Sequence, residues 1–169
     1  MTDLERFRKE KDNFFRTDYQ SPLTQEQKRN FTGLIYFPEN PALHLEVTIE
    51  PFEQVEKIEM QTTTGDIQSY IRFGKFHFTV DGQPAELTIF FDGNYYFLPF
   101  VDSQAGKLTY GAGRYLEPEP LGGNRFLVDF NLAYNPYCAY NETWSCPITP
   151  WENRLKVPIQ AGEKVFHEE

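Results

Sequence analysis

From Gly33 onward, apolar and polar residues alternate along the chain. Leu43, Leu45, Val47 and Ile49 share one parity, with His44, Glu46, Thr48 and Glu50 on the other. That is the pattern of a strand with one buried face, and it puts His44 on the wet side. In "SYIRFGKFHFTVDG" the apolar parity shifts: Ile71 and Phe73 fall on one set, Phe76, Phe78 and Val80 on the other. A bulge at Gly74-Lys75 restores a single apolar face. Asp81-Gly82 predicts a hairpin turn, and "AELTIFF" returns with Leu87, Ile89 and Phe91 inward. Asp92-Gly93 turns the chain again into "YYFLPFV", and "KLTYGAGRYL", "RFLVDFNLAY" and "KVPIQAGEKVF" read as the last strands.

Before Gly33 the period is helical. Leu4, Phe7, Lys11, Phe14 and Phe15 are spaced along residues 3–16 with charges between them. Ser21-Pro22 interrupts, and Thr24 and Gln27 stand at capping-box spacing ahead of further helical turns. About eight to ten strands, without βαβ alternation, predict a mainly β fold. The expected architecture is an antiparallel β-barrel or sandwich with a short N-terminal helical segment over residues 1–30. The absence of repeats, linkers and low-complexity tracts predicts a single domain over residues 1–169.

Composition agrees with sheet. Sixteen Phe and ten Tyr stand against two Met, a core of rings rather than of flexible helix-packing side chains. The 25 acidic and 16 basic residues give a net charge of −9, which repels phosphate backbones, so no nucleic-acid partner is expected. The one basic cluster, "RFRKEK" at 6–11, reads as a solvated helix face. No apolar run reaches the ~20 residues that cross a bilayer, so no membrane partner is expected. The charged N-terminus has no signal-peptide core, and a cytoplasmic location is expected. Oligomeric state leaves no signal.

Chemistry concentrates in three stretches. On the expected strand "RFLVDFNLAY", Asp129 and Asn131 point the same way, ~7 Å apart, toward either solvent or a pocket. In "TYGAGRYL", Gly111 and Gly113 precede Arg114. This Arg reads as the partner of Asp129, either in a structural ion pair or as an anion clamp. A Gly-x-Gly without the third glycine is not a dinucleotide loop, so no cofactor is expected. The third stretch, "DFNLAYNPYCAYNETWSCPITPWEN", holds both cysteines and three prolines. It reads as an ordered loop whose tyrosines and tryptophans dock on the sheet or line a pocket. Cys138 and Cys146 are open to four readings: half of a zinc site, a disulfide, two free buried thiols, or a nucleophile. Their Cα atoms are expected within ~7 Å of each other. With His44 and His77 on wet parities and His167 near the C-terminus, no metal is expected.

"KDNFF", "SPLT", "GLIYFP", "TYGAGRYL", "DFNLAYNPYCAY", "CPITPWENRL" and "AGEK" together resemble a bacterial and archaeal family, domain of unknown function 1684, over residues 11–164. Ser103 and Thr149 depart mildly from its pattern. The resemblance implies that Tyr110, Gly111, Gly113, Arg114, Tyr115, Asp129, Asn131, Asn135, Pro136, Cys138, Cys146, Pro147, Glu152 and Asn153 are motif positions. It implies no activity.

The leading expectation is a small-molecule-binding β-barrel, with a small polar or anionic ligand as partner. Its candidate ligand residues are Tyr110, Arg114, Asp129, Asn131, Tyr134, Asn135, Cys138, Glu152 and Asn153. One rival is a cofactor-independent hydrolase or lyase with Asp129 or Glu152 as base and Arg114 as charge stabiliser. Another is a protein-interaction domain with a purely structural motif core.

Overall fold

A computed structural model of the chain describes residues 1–166; His167 lies outside the described residues. Two helices come first, α1 (Asp3–Thr17) and α2 (Gln25–Asn30). Each opens on a capping box. Thr24 accepts from the Gln27 N–H while Gln27 Oε1 accepts from the Thr24 N–H. Thr2 and Glu5 do the same for α1, a box that the sequence reading passed over. Each box satisfies two of the backbone donors that a helix start leaves free.

Among the described residues eight strands follow: β1 (His44–Thr48), β2 (Glu50–Gln61), β3 (Ile67–Val80), β4 (Gln83–Phe91), β5 (Tyr96–Phe100), β6 (Arg114–Leu116), β7 (Glu119–Gly122) and β8 (Arg125–Asp129). They form two antiparallel sheets. One runs β1-β8-β7 and the other β2-β3-β4-β5-β6. The sheets do not close into a barrel.

β1 and β2 are one extended run that changes sheet at Ile49. The Ile49 side chain, 1% exposed, turns into the core between the sheets. Gly74 of β3 lies where this run crosses. A Cβ there would sit 2.5 Å from the Ile49 Cγ2 and 2.7 Å from the Glu50 carbonyl oxygen, so only glycine fits without rearrangement. The bulge falls at Phe73, one residue before the expected place, because the register jumps from Arg72↔Phe90 to Gly74↔Ile89. Asp81, with φ of 51°, and Gly82, with φ of 79°, make the hairpin turn.

Three apolar clusters result. Val47, Phe126 and Val128 of the small sheet meet Phe76, Leu87, Ile89, Leu98 and Phe100 of the large one. On the opposite side of the large sheet, Met60, Tyr70, Phe90, Phe97 and Tyr115 gather with both cysteines. Phe15, Leu23, Phe31, Leu34 and Tyr140 join the helical segment to the 134–153 loop. β4 is therefore buried on both faces: Phe90, not Phe91, is the fully buried ring. No helix of the described residues is long and apolar enough to cross a membrane.

One expected strand is not a strand. "KVPIQAGEKVF" forms no ladder and is held instead by side chains. Arg114, 1% exposed, donates to the carbonyls of Ile159, Ala161 and Glu163. Asp102 lies 3.8 Å from the guanidinium and accepts from the Ile159 N–H and the Thr109 hydroxyl. Burial pulls the Arg114 pKa down to about 10, offset in part by Asp102, so it stays charged at neutral pH. The expected partner Asp129 is elsewhere, 3.1 Å from His44 across β1. β8 pairs with β1 and β7 and never neighbours β6, which is why chain order misled.

β8 also ends at Asp129, and residues 130–132 make a single 3-10 turn. The Asp129 carboxylate accepts from the Asn131 N–H at 3.0 Å and draws the chain out of the strand. Asn131 thus shares no strand face with Asp129.

Replacing Arg114 with Met takes the donor from three carbonyls and the counter-charge from the buried Asp102 carboxylate. The loss of unfolding free energy in a urea titration is expected at about 3–5 kcal/mol, as for breaking one half of a buried ion pair. A loss below about 1 kcal/mol would show that the C-terminal segment is held by its apolar contacts alone.

Candidate functional site

The expected ligand residues do not converge on one pocket. Arg114 is consumed by the C-terminal segment. Asn131 clasps the Asn40 backbone, accepting from its N–H at 2.8 Å and donating to its carbonyl at 3.0 Å. Asn153, wholly buried, accepts from the Thr88 N–H and donates to the carbonyls of Thr88 and Pro99. Glu152 is gripped by Arg72 through Nε at 3.0 Å and Nη2 at 2.7 Å, and it also accepts from the Thr88 hydroxyl. Asn135 donates from its side chain to the Lys164 carbonyl, and its N–H reaches the Glu163 carboxylate. These residues lock loops to strands.

What is left open is aromatic. α1 lies across the 134–147 loop and leaves a cleft of about 720 Å³. Phe7, Phe14 and Lys11 line it from the helix, and Tyr115, Tyr134, Pro136, Tyr137, Trp144, Cys146 and Pro147 from the sheet and loop. The rings brace one another edge to face. Tyr137 and Trp144 have centroids 5.2 Å apart, and Tyr115 and Tyr134 5.9 Å apart.

The polar ends of these side chains are turned away or satisfied. The Tyr115 hydroxyl donates to the Pro147 carbonyl, and the Tyr134 hydroxyl to the Glu117 carboxylate. Burial pushes both phenols up, with Glu117 adding to the effect at Tyr134, so both stay protonated donors at neutral pH. Lys11 pairs with the buried Glu163 and passes 5.0 Å from the Tyr134 ring centroid. Glu163 also accepts from the Tyr140 hydroxyl and the Asn135 N–H. One buried carboxylate thereby ties α1, the loop and the C-terminal segment together, and fixes the angle at which α1 spans the cleft.

Tyr110 and Cys138 stand on the far side of the loop. They line a second cleft of about 990 Å³ with Gly111, Leu108 and Asn141. Asp129 borders a smaller hollow of about 220 Å³ that shares Phe7 and Tyr134 with the first cleft. Of the nine expected ligand residues, only Tyr134 lines the α1 cleft. Phe7 and Phe14 were missed as site residues, and Trp144 was foreseen only among the loop rings that dock on the sheet or line a pocket. The helical spacing of the two phenylalanines was visible; what that face looks onto was not.

The cysteines are brought together. The Cys138 N–H donates to the Cys146 Sγ at 3.3 Å, and both thiols are free and buried. Among the described residues no three His, Cys, Asp or Glu side chains form a cluster that could hold a metal ion.

The family model described as "Protein of unknown function (DUF1684)" matches residues 29–164, and the chain belongs to that family. The match begins after α1, so the helix side of the cleft's wall lies outside it. A solution NMR structure of an uncharacterized protein from Haloarcula marismortui is 36% identical, with a TM-score of 0.73. The similarity covers 95% of this chain and 91% of that one. No curated protein matches.

If the polar motif residues are structural, Asn153→Ala should cost about 2–4 kcal/mol of stability, because it strands one buried donor and two buried acceptors. Urea unfolding measures this. A near-neutral effect would return Asn153 to the candidate ligand residues.

Proposed function

We propose that this member of the DUF1684 family is a small-molecule-binding protein whose ligand lies in the cleft between α1 and the 134–147 loop. One observation carries the reading. In the cleft large aromatic surfaces from helix, sheet and loop face open space, and its volume of about 720 Å³ suits a small ligand. Phe7 and Trp144 are 41% and 39% exposed at its mouth. Such surface is unfavourable in water and gains on being covered.

The ligand class follows from the lining. With the Arg, Asp and Asn side chains already satisfied, the polar or anionic ligand first expected loses the groups meant to recognise it. Rings, prolines and one thiol make up most of the lining, with Glu10, Lys11 and Ser145 beside them, so the ligand is a flat, mainly apolar molecule held by stacking and edge contacts. The net charge of −9 further disfavours a highly charged anion.

Trp144 reports on occupancy. In a Trp151→Phe background, Trp144 is the sole tryptophan; Trp151 is 81% exposed, so its loss costs little. A flat aromatic probe such as anilinonaphthalene sulfonate is expected to quench Trp144 saturably and to raise the melting temperature. Phe7→Asp should weaken binding by about tenfold or more, the equivalent of one lost aromatic contact, at small cost to stability. Absence of quenching and of any thermal shift across a library of flat apolar compounds would overturn the reading, as would unchanged affinity in Phe7→Asp.

A further inference from the structure

The thiol pair sits between the two larger clefts. Cys146 is in the wall of the α1 cleft, and Cys138 in the wall of the other, with the Tyr110 hydroxyl 3.9 Å from its sulfur. The Cys146 sulfur accepts from the backbone N–H of Cys138 at 3.3 Å. Cys146 is anchored from behind. Its N–H donates to the Thr63 hydroxyl at 3.2 Å, and its carbonyl accepts from the Thr63 N–H at 3.0 Å. The loop thus holds both sulfurs in reach of each other without a bond between them.

This arrangement is asymmetric. A negative charge on Cys146 would meet the Cys138 N–H at 3.3 Å, whereas the Tyr110 hydroxyl stands farther from the Cys138 sulfur, at 3.9 Å. The hydrogen bond from Cys138 pulls the Cys146 thiol down to about 6 against its burial, while the same bond and burial push Cys138 up. The first proton of the pair leaves easily and the second with difficulty.

We propose that Cys138 and Cys146 form a redox-modification site, a dithiol that exchanges with small disulfides of the glutathione type, with Cys146 attacking and Cys138 resolving. The Cys146 thiolate attacks one sulfur of RS–SR; the Cys146–S–S–R bond forms, RS–SR breaks, and one RS⁻ leaves through the α1 cleft. Cys138 then gives up its proton and attacks the Cys146 sulfur. The Cys138–Cys146 bond forms and the second RS⁻ leaves. Two protein thiols are oxidised, one small disulfide is reduced to two thiols, and the two protons end on the two departing groups. The site does not depend on the cleft holding an apolar ligand.

The wild-type protein tests this directly. Folded protein is incubated at pH 7 with excess glutathione disulfide, and its mass and peptides are read. The expected product is lighter by two hydrogens, retains no glutathione and carries a Cys138–Cys146 cross-link. Brief alkylation of the reduced protein should label Cys146 over Cys138 by at least about tenfold, with a rate that rises with pH through about 6 as the Cys146 thiolate forms. In Cys138→Ser, one glutathione should remain trapped on Cys146. Two unchanged thiols in the folded protein, while the same chain oxidises in denaturant, would overturn the proposal and leave two buried thiols packed as apolar groups. A wild-type product stalled at the mixed disulfide would remove Cys138 as resolver, and preferential labelling of Cys138 would remove Cys146 as attacker; either defeats it.

Discussion

A single buried guanidinium organises the C-terminal third of this molecule. β6 is three residues long, and the segment after residue 153 has no ladder of its own. Its carbonyls still need donors once they leave water. Arg114 supplies them to Ile159, Ala161 and Glu163 from one fixed fork, a geometry that lysine lacks. Asp102 neutralises the charge from 3.8 Å and reaches the same segment through the Ile159 N–H. Gly113 belongs to this device. Its φ is +100°, and a Cβ there would stand 2.5 Å from the Phe100 carbonyl oxygen, so the turn into β6 can bring Arg114 this deep only with glycine before it.

The rest of the molecule follows from where that segment is held. Glu163 lies at its end, and from there it collects Lys11, Tyr140 and Asn135. α1 is therefore docked by a charge as well as by Phe15, whose ring meets Tyr140 edge-on at 5.0 Å. The cleft under α1 is a consequence of this docking. A helix pinned at Lys11 and Phe15 bridges the loop and cannot sink onto it, and the rings of Phe7 and Trp144 are left facing a gap. Cys146 lies in the wall of the same gap.

Much was legible along the chain. Strand positions from residue 43 to residue 100, the Asp81-Gly82 and Asp92-Gly93 turns, the Thr24–Gln27 cap and the helical segment are local features. They follow from side-chain period, from turn residues that tolerate positive φ, and from caps that act within four residues. The meeting of Cys138 and Cys146 also follows from short range, because proline and asparagine turns leave an eight-residue link little choice. The failures share a cause. Asp129 and Asn131 were read as sharing one face of a strand; their side chains do meet, at 2.9 Å, but the Asp129 carboxylate also captures the Asn131 N–H and the strand ends there. Arg114 was assigned to Asp129 because strands adjacent in sequence are usually adjacent in space, and here β8 went to the other sheet.

The sequence by itself determined the local elements up to about residue 100, which stretches are extended, which are helical and where the chain turns, and that the segment from 134 to 153 is an ordered loop dense in rings. Each of these depends on backbone sterics and burial periodicity within a few residues. Only the tertiary structure decided partners. A buried Arg, Asn or Glu must be satisfied, but any of several carbonyls or carboxylates can do it, and which one arrives depends on how two sheets stack and where a distant helix lands. Those choices converted the Arg, Asn and Glu side chains from candidate ligand groups into braces, and left the open surface to aromatic side chains brought from both ends of the chain.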